Sequence, residues 1–284
     1  MRLSLVERVR RFNRTVTQRV GALDEAYLAR GRPLGQCRVL WEIGDGGSEV
    51  RALRARLDLD SGYLSRLLAA LRADGLVEVV AAADGRVRTV RLTPAGAAER
   101  GELDRRSDDL AAGILAPLDE SQRDRLVAAM GEVERLLIAS MVRVAPAEPD
   151  QPEARACLDA YAAELAARFD TGFDPARSNP FEGALLLVAT LHAEAVGCGA
   201  LRLHDSYAEV KRMWVAPTVR GLGLGRRLLA ELEATAAARG VRALRLETNE
   251  ALTEAIALYR SAGYREVPAF NDEPYAHHWF EKEI

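Results

Sequence analysis

Apolar residues near the start of the chain recur at steps of three and four, a spacing that predicts an amphipathic helix over residues 1–28. Arg and Glu fill the opposite face of this helix. The apolar stripe consists of Leu5, Val9, Phe12, Val16, Val20, Leu23 and Tyr27. A stripe of this length near a terminus needs a partner helix, which a second subunit could supply.

Three shorter segments with helical patterns follow. "QCRVLWEIGDGG" predicts a helix ended by glycines, and "SEVRALRARLDL" predicts a helix with Ser48 as its N-cap. "DSGYLSRLLAALRADGLV" predicts a longer helix that is capped by Asp60 or Ser61 and ended by Gly75. Its buried stripe consists of Leu64, Leu67, Leu68 and Leu71. The polar residues of its first turns therefore lie off the buried side.

The stretch "VEVVAAADGRVRTVRLTPAG" predicts a β-hairpin and then another helix. Two β-type runs flank Asp84-Gly85, a pair typical of tight hairpin turns, and Arg86 and Arg88 follow the tip. Thr93-Pro94 matches an N-cap with proline in the first turn. This order of elements is that of a winged helix-turn-helix, in which the long helix enters a DNA major groove and the hairpin reaches the minor groove or the backbone.

The segments "LDLDSGYLSRLLAALRADGLV", "DGR" and "RLTPAG" occur in the order found in the MarR family of transcriptional regulators, which residues 5–138 resemble. The resemblance implies a homodimer built from the terminal helices, 1–28 and about 101–138, on double-stranded operator DNA of pseudo-palindromic sequence. The DNA contacts that it implies come from Ser61, Gly62, Tyr63, Ser65, Arg66, Asp84, Arg86 and Arg88. The wing tip "AADGR" is shorter than in many members. The alternative is a dimerisation scaffold that does not bind DNA, and the arginines at the expected places argue against it.

Residues 139–284 alternate between β-type and helical patterns, which predicts a mixed α/β domain with a central sheet. The predicted strands are 140–145, 184–191, 195–204, 208–215, 242–248, 264–268 and 276–283, and the predicted helices lie in 153–170, 223–239 and 251–262. The fold class is therefore two-domain. An α-rich winged helix-turn-helix domain with a β-hairpin wing, 1–138, precedes an α/β mixed-sheet domain, 139–284.

The stretch "PTVRGLGLGRRLLAELEATA" places three alternating glycines before an amphipathic helix. A dinucleotide-binding fingerprint needs glycine where Arg226 stands, and a P-loop needs a lysine that this turn lacks. Two interpretations remain. One is an R-x-x-G-x-G motif of Arg220, Gly223 and Gly225, whose N–H groups face a pyrophosphate. The other is an ordinary glycine-rich turn without a ligand.

The surrounding segments "AEVKRMWVAPTVRGLGLGRRLL" and "RLETNEALTEAIALYRSAGYREV" closely resemble the GNAT superfamily of N-acetyltransferases, over about residues 140–284. The resemblance implies acetyl-CoA as the donor. Its pantetheine arm would pair with Met213, Trp214 and Val215, whose N–H groups would stabilise the oxyanion. Asn249 matches a further polar contact to the cofactor. The pyrophosphate would rest on Arg220, Gly221, Leu222, Gly223, Leu224, Gly225 and Arg226.

Two side chains match catalytic roles in that superfamily. Tyr259, in "IALYRSAGY", is placed like the general acid, because its phenol can protonate the leaving thiolate. Glu209 lies eleven residues before Arg220, the spacing of the base glutamate in the histone-acetyltransferase branch. The alternatives for Glu209 are an exposed strand residue or a substrate-orienting anion. Glu247 on the next strand is a second candidate base.

Charge is distributed unevenly along the chain. Residues 1–144 carry a net charge of +3 and residues 145–284 one of −6. The acidic half suits a cationic acceptor, and the segment "FNDEPYAHHWF" is placed like the acceptor site of the superfamily. Adjacent residues of a strand point to opposite faces, so His277 and His278 cannot chelate one ion together, and no metal is predicted.

Several classes of protein are disfavoured by composition. The chain has no run of about 18 apolar residues, and its N-terminus lacks the apolar core of a signal peptide, so no membrane association is expected. Cys37, Cys157 and Cys198 are widely spaced and odd in number, which fits a reduced cytoplasmic protein better than a disulfide scaffold.

Three functions are compatible with these patterns. The first is a DNA-binding transcriptional regulator that also transfers acetyl directly from acetyl-CoA to an amine, on a small molecule or a protein lysine. In the second, the back half senses acetyl-CoA or an amine ligand without turnover. In the third, the protein is only an enzyme, and its front half serves for dimerisation.

Overall fold

The computed structural model describes residues 4–23, 27–81, 87–178 and 183–284. The chain divides into two compact units, Met1–Met130 and Gly131–Ile284. This division falls inside one helix, Glu120–Met141. The domain limits 1–138 and 139–284 stay predictions.

The first unit combines helices with a small antiparallel sheet, as a winged helix-turn-helix requires. Its helices are α1 Leu5–Arg19, α2 Leu34–Ile43, α3 Val50–Leu57, α4 Ser61–Ala73 and α5 Pro94–Leu115, and α6 Glu120–Met141 begins in it. Its strands are β1 Ser48–Glu49, β2 Val77–Ala81 and β3 Arg88–Leu92, in the order β1-β3-β2. Sequence reasoning missed β1, a strand of two residues. The predicted tip of the wing lies outside the described residues.

Helix α4 is held by the predicted cap and the predicted leucine stripe. The backbone N–H of Tyr63 donates to Asp60 Oδ1 at 2.8 Å. The four leucines of the stripe are buried in the core of the unit. The Thr93 hydroxyl accepts from Gly96 N at 3.0 Å and donates to the Gly75 carbonyl at 2.7 Å. This second bond ties the start of α5 to the end of α4.

Two local predictions for this unit are wrong. The first helix ends at Arg19, because the chain turns at Gly21 with a left-handed φ of 66°, and Tyr27 lies instead in a separate 3-10 turn, buried against Trp41. Ser48 is not a helix cap. It pairs with Val90 in the sheet, because β3 takes up its backbone, and α3 begins two residues later without a side-chain cap.

Gly96 packs closely against the backbone of Leu76, and this contact gives a stability prediction. A Cβ at this position would lie 1.9 Å from the Leu76 carbonyl oxygen. We expect Gly96→Ala to lower the free energy of unfolding by about 3 kcal/mol, because the hairpin must move away from α5. Gly101→Ala on the same helix is the control. No atom lies within 4 Å of a Cβ there, so a small gain is expected. Guanidinium unfolding measures both, and equal effects would contradict the prediction.

The second unit is a seven-stranded mixed sheet with helices on both faces. Its strands are β4 Arg143–Ala147, β5 Leu185–Leu191, β6 Glu194–Leu203, β7 Ala208–Val215, β8 Ala243–Thr248, β9 Arg265–Val267 and β10 His278–Glu283, in the order β4-β5-β6-β7-β8-β10-β9. Its helices are α7 Pro152–Arg168, α8 Leu224–Ala237 and α9 Thr253–Ser261. Leucines of α8 pack on one face of the sheet, and α7 covers a smaller cluster that includes Cys157 and Cys198.

The centre of this sheet opens between β7 and β8. The two strands are parallel and pair at Ala208 with Leu244 and at Glu209 with Arg245, and they diverge beyond that point. On the other side of β7, Cys198 pairs with Trp214 and Ala200 with Lys211, so β7 bulges at Arg212 and Met213. The backbone of Arg212 is left-handed there, with φ 56°. Divergence and bulge together expose one edge of β7, as the GNAT resemblance implies.

Candidate functional site

A groove of about 520 Å³ runs between the exposed end of β7, the glycine turn and helices α7 and α9. Both predicted halves of the donor site contribute to it. Its lining includes Met213, Trp214, Val215, Arg220, Gly221, Gly223, Leu224, Gly225, Arg226 and Tyr259. Leu222 packs against the core of the unit instead.

The glycine turn presents backbone to this groove. Gly221 and Gly223 have left-handed φ values of 80° and 77°, which side chains rarely adopt. Gly223 is the N-cap of α8, and as a glycine it has no side chain to cap that helix. The N–H groups of a first helical turn have no partners within the helix, and the helix dipole favours an anion there. An anionic group bound at this turn stays a prediction.

Arg220 lines the groove, and its guanidinium also bonds to groups on β7 and α7. Its Nε donates to the Val215 carbonyl at 3.0 Å, and its guanidinium contacts Glu164 Oε2 at 2.5 Å. The same carboxylate accepts from the Trp214 indole at 2.9 Å. Glu164 of α7 thus links the end of β7 to the turn. Sequence reasoning missed this residue, because no local signal distinguishes it from other helix-surface glutamates.

A smaller cavity of about 70 Å³ adjoins the groove. Both spaces are lined by Tyr161, Leu165, Met213, Leu252, Ala255 and Tyr259. Tyr259 is 6% exposed. Burial raises the pKa of its phenol well above the usual range, and the nearby Tyr161 and Glu247 raise it further. The phenol therefore stays protonated at the junction of the two spaces, as a general acid must.

Of the two candidate bases, Glu247 lines the small cavity and Glu209 does not; Glu273 is a second carboxylate in its lining. Burial raises the pKa of Glu247 to about 7, and the charge of Glu209 adds to that rise, although Lys211 opposes it. Lys211 Nζ lies 2.7 Å from Glu247 Oε1. Glu247 thus has a pKa suited to accepting a proton near neutral pH.

Glu209 lies next to Glu247 but does not line the small cavity. It is 3% exposed, so the interpretation as an exposed strand residue is wrong. Its carboxylate contacts Lys211 Nζ at 3.4 Å, Asn271 Nδ2 at 2.8 Å and His204 Nε2 at 3.3 Å. Burial alone would raise its pKa, but Lys211 and the other partners outweigh burial and lower it. Lys211 is a further residue that sequence reasoning missed.

Asn249 lies in the small cavity and not in the groove. Its Nδ2 donates to the Tyr275 carbonyl at 2.8 Å, and its Oδ1 accepts from Ala251 N at 2.9 Å. Both ends of the amide therefore hold the loop after β8. Its predicted contact with a cofactor stays a prediction.

The first unit carries the predicted DNA-binding residues of α4 on its surface. Ser61, Gly62, Tyr63, Ser65 and Arg66 are all exposed, and the Arg66 guanidinium lies 5.6 Å from the centre of the Tyr63 ring. Arg88 is exposed on β3. Asp84 and Arg86 lie outside the described residues.

This surface gives a prediction for operator binding. We expect Arg66→Ala to weaken binding by roughly 1–3 kcal/mol if the side chain contacts a base. If it contacts a phosphate, the loss should be uniform across sequences, with a salt slope shallower by about one. Arg72→Ala is the control, because Arg72 is exposed at the opposite end of the same helix. Titrations at several salt concentrations measure both. An Arg66 variant that binds like the parent protein would remove the residue from the interface.

Among the described residues, no three His, Cys, Asp or Glu side chains are grouped as a metal site would require. His277 faces Glu250 and His278 faces Glu266, so the two imidazoles have different partners. No helix among the described residues has the length and apolar character to cross a membrane.

Curated acetyltransferases and a solved N-acyltransferase structure resemble parts of this chain. An IAA acetyltransferase of Azospirillum brasilense is 49% identical over 80 residues, which are 28% of this chain and 52% of that protein. An uncharacterized N-acetyltransferase of Schizosaccharomyces pombe is 33% identical over 100 residues, 34% of this chain and 58% of that protein. The chain thus spans about half the length of the curated relatives it matches. A solved Klebsiella pneumoniae protein, named as an acyl-CoA N-acyltransferase, is 34% identical, with 51% of this chain and 98% of that one covered at a TM-score of 0.42.

The chain matches two family models, one in each of its two folded units. Residues 151–264 match the acetyltransferase (GNAT) family, and residues 30–87 match the MarR family. The two matches fall in different compact units, on the mixed sheet and on the winged helix. The chain therefore joins a MarR-family domain to an acetyltransferase domain of the GNAT family.

Proposed function

We propose that this protein is a DNA-binding transcriptional regulator and an acetyl-CoA-dependent N-acetyltransferase that transfers acetyl directly to an amine. One observation carries the enzymatic part. Tyr259 stands where the groove of the glycine turn meets the cavity that contains Glu247. A candidate acid and a candidate base thus line one cavity, and the acid also lines the groove where the donor would lie.

The groove fits acetyl-CoA by the chemistry of its lining. The uncapped N-terminus of α8 and the left-handed glycines suit a pyrophosphate, because backbone N–H groups can approach it closely. The divergence of β7 from β8 leaves backbone groups of Met213 and Val215 for an extended ligand to pair with. When bound, acetyl-CoA would supply an activated acyl thioester.

Proton transfers are assigned to two side chains. An amine acceptor arrives protonated near pH 7 and must lose a proton before it attacks. We assign that proton to Glu247, which lines the cavity, with Glu209, the base expected from the family pattern, next behind it. Tyr259 gives its phenol proton to the leaving thiolate. The carboxylate of Glu247 suits a small-molecule amine or a lysine side chain that enters the cavity.

Gly223 gives a test of the donor site. Gly223→Ala adds a methyl group to a residue that lines the groove, at a left-handed position where it costs about 1–2 kcal/mol of backbone strain. We expect acetyl-CoA affinity to fall by about tenfold or more, because the free turn relieves the strain by changing conformation, and each 1.4 kcal/mol needed to restore the binding conformation is tenfold. Gly240→Ala is the matched control, because Gly240 has a similar φ of 80° but does not line the groove. Calorimetric titration with acetyl-CoA decides, and equal affinities of the two variants would contradict the donor site.

Turnover is tested by thiol release from acetyl-CoA with n-butylamine, which has the primary amine of a lysine side chain. Catalysed release of CoA supports the transferase. Acetyl-CoA binding without any release, with n-butylamine or with a panel of other amines, would favour the second function, a sensor of acetyl-CoA or of an amine. The presence of Tyr259 and Glu247 in one cavity supports turnover.

The regulatory half is tested by a gel shift with the DNA upstream of the coding sequence, at fixed salt, with and without acetyl-CoA. A specific shift supports the regulator, and a change with acetyl-CoA couples the two domains. No shift at low salt would reduce the MarR-family domain to a dimerisation module.

A homodimer is part of this proposal. Apolar side chains are exposed along both helices that the MarR resemblance assigns to dimerisation. They are Leu5, Val6, Val9, Phe12 and Val16 on α1 and Val127, Met130, Leu136, Leu137 and Met141 on α6. Burial of such surface is the main favourable term in association. Sedimentation at several protein concentrations tests it, and a monomer at all of them would contradict it.

A further inference from the structure

A line of hydrogen-bonding side chains leads from the small cavity to the protein surface. Lys211 Nζ contacts Glu247 at 2.7 Å and Glu209 at 3.4 Å, and the other oxygen of Glu209 lies 3.3 Å from His204 Nε2. The exposed fraction of these side chains is 9% for Glu247, 2% for Lys211, 4% for Glu209 and 28% for His204. The line therefore begins at the proposed base, passes through the protein interior and ends at solvent.

Strand geometry aligns these groups on one face of the sheet. Glu209 and Lys211 are two residues apart on β7, and successive side chains of a strand alternate between faces. Asn271 donates to both carboxylates, at 2.8 Å to Glu209 and 3.3 Å to Glu247, and its own oxygen accepts from the Trp279 indole at 2.9 Å. The two carboxylates are thus held close together by a neutral group.

The outer end of the line is also held in place. The His204 ring stacks on Tyr207 with centroids 4.4 Å apart. Two arginines are paired in register near Glu209, Arg202 on β6 and Arg245 on β8. Arg245 is engaged by Glu281 at 2.7 Å and lies over the Tyr207 ring. His204 therefore has a fixed contact with Glu209 and a partly exposed edge.

The proposed reaction releases one proton in each turnover. A protonated amine and acetyl-CoA give an amide, CoA as the free thiol and one proton. The C–S bond of the thioester breaks, the C–N bond forms, and Tyr259 supplies the thiolate with a proton that it regains from the nitrogen. The first proton of the ammonium group stays on Glu247, which must lose it before the next turnover.

We propose that Lys211, Glu209 and His204 form a proton exit path from Glu247 to solvent. This inference rests on the proposed acetyl transfer. Lys211 gives an ammonium proton to Glu209 and takes one from Glu247, so its charge is unchanged. Glu209 then passes its proton to the His204 imidazole, which releases it to water. Glu247 is the proton acceptor, and the other three residues act through it.

The first experiment uses His204→Gln, because glutamine can still donate a hydrogen bond to Glu209 but cannot titrate. With n-butylamine as acceptor in weak buffer, we expect kcat to fall by about tenfold and added imidazole to restore it, since the buffer replaces the missing base. The matched control, His192→Asn in the β5–β6 turn, should behave like the parent protein. An unchanged kcat in weak buffer, or a loss that imidazole does not restore, would overturn the exit path.

The second experiment does not depend on turnover. Lys211 and Lys282 are the only lysines of the chain, so ¹⁵N-lysine labelling gives two side-chain ammonium signals in NMR spectra. We expect His204→Gln to slow the exchange of the Lys211 ammonium hydrogens with water several-fold. Lys282, paired with Glu233 at 2.8 Å, is the internal reference. Unchanged exchange at Lys211 would overturn the path, whereas slowed exchange in a protein without transferase activity would contradict only the proposed function.

Discussion

Glu247→Gln is expected to lower kcat by about 10² or more, because general-base catalysis contributes typically 10²–10⁴-fold. The substitution keeps the size of the side chain and a hydrogen-bonding group toward Lys211. It removes the only cavity-lining group among the described residues that combines a carboxylate with a pKa raised to about 7. The loss should therefore appear in kcat more than in the affinity for acetyl-CoA.

The pH profile gives this prediction a second readout. The active form of Glu247 is the carboxylate, so activity of the parent protein should fall as the pH drops through about 7, where burial has moved the pKa. Glu247→Gln should lose that acidic limb, and its residual activity should change little over the same range. Initial rates of thiol release across pH measure both effects.

Glu209→Gln separates the two carboxylates. It is expected to lower kcat less than Glu247→Gln, because Glu247 remains in the cavity and only the group behind it has changed. The reverse order of losses would return the base to Glu209, the residue that matches the family spacing. Equal and total loss in both variants, with intact acetyl-CoA binding, would indicate that the pair acts as one unit.

Tyr259→Phe is expected to lower kcat by about 10²-fold while acetyl-CoA binds nearly as before, because only the phenolic proton is lost. The ring stays and continues to pack between Tyr264 and Phe280, each with a centroid 6.1 Å away. Burial keeps this phenol protonated, so its proton is available to the thiolate as the C–S bond breaks.

Tyr264→Phe is the matched control for this prediction. Tyr264 is also buried, and burial also raises its pKa above the usual range, but it does not line either cavity. Its substitution should leave kcat unchanged. Pre-steady-state thiol release and acetyl-CoA titration on both variants make the comparison. Unchanged turnover in Tyr259→Phe would remove this residue as the acid.

The parts of the fold that depend on neighbouring residues follow from the sequence alone. The Asp60 cap, the Thr93-Pro94 helix start and the leucine stripe of α4 involve groups within a few positions of each other. Their geometry is set by local backbone preferences and by helical periodicity. The alternating glycines before α8 belong to the same class, because left-handed backbone and a free helix terminus are local properties.

Two local interpretations failed where distant chain segments intervened. Ser48 is a good cap by residue type, but β3 recruits its backbone into a strand. Tyr27 continues the apolar spacing of the first helix, but it is buried against Trp41 instead. At both positions, the tertiary contacts stabilise the fold more than the local pattern would have done.

The two folds, the glycine turn before α8 and the candidate acid Tyr259 could be predicted from the sequence, because each depends on spacing along a short segment. Which of Glu209 and Glu247 lines the cavity depends on the tertiary structure. Glu209 and Glu247 lie on adjacent strands and share one face, so periodicity cannot rank them. The divergence of β7 from β8 beyond Glu209 opens the sheet at Glu247 and leaves Glu209 enclosed. That divergence is a long-range property of strand pairing, and no local signal in either strand encodes it.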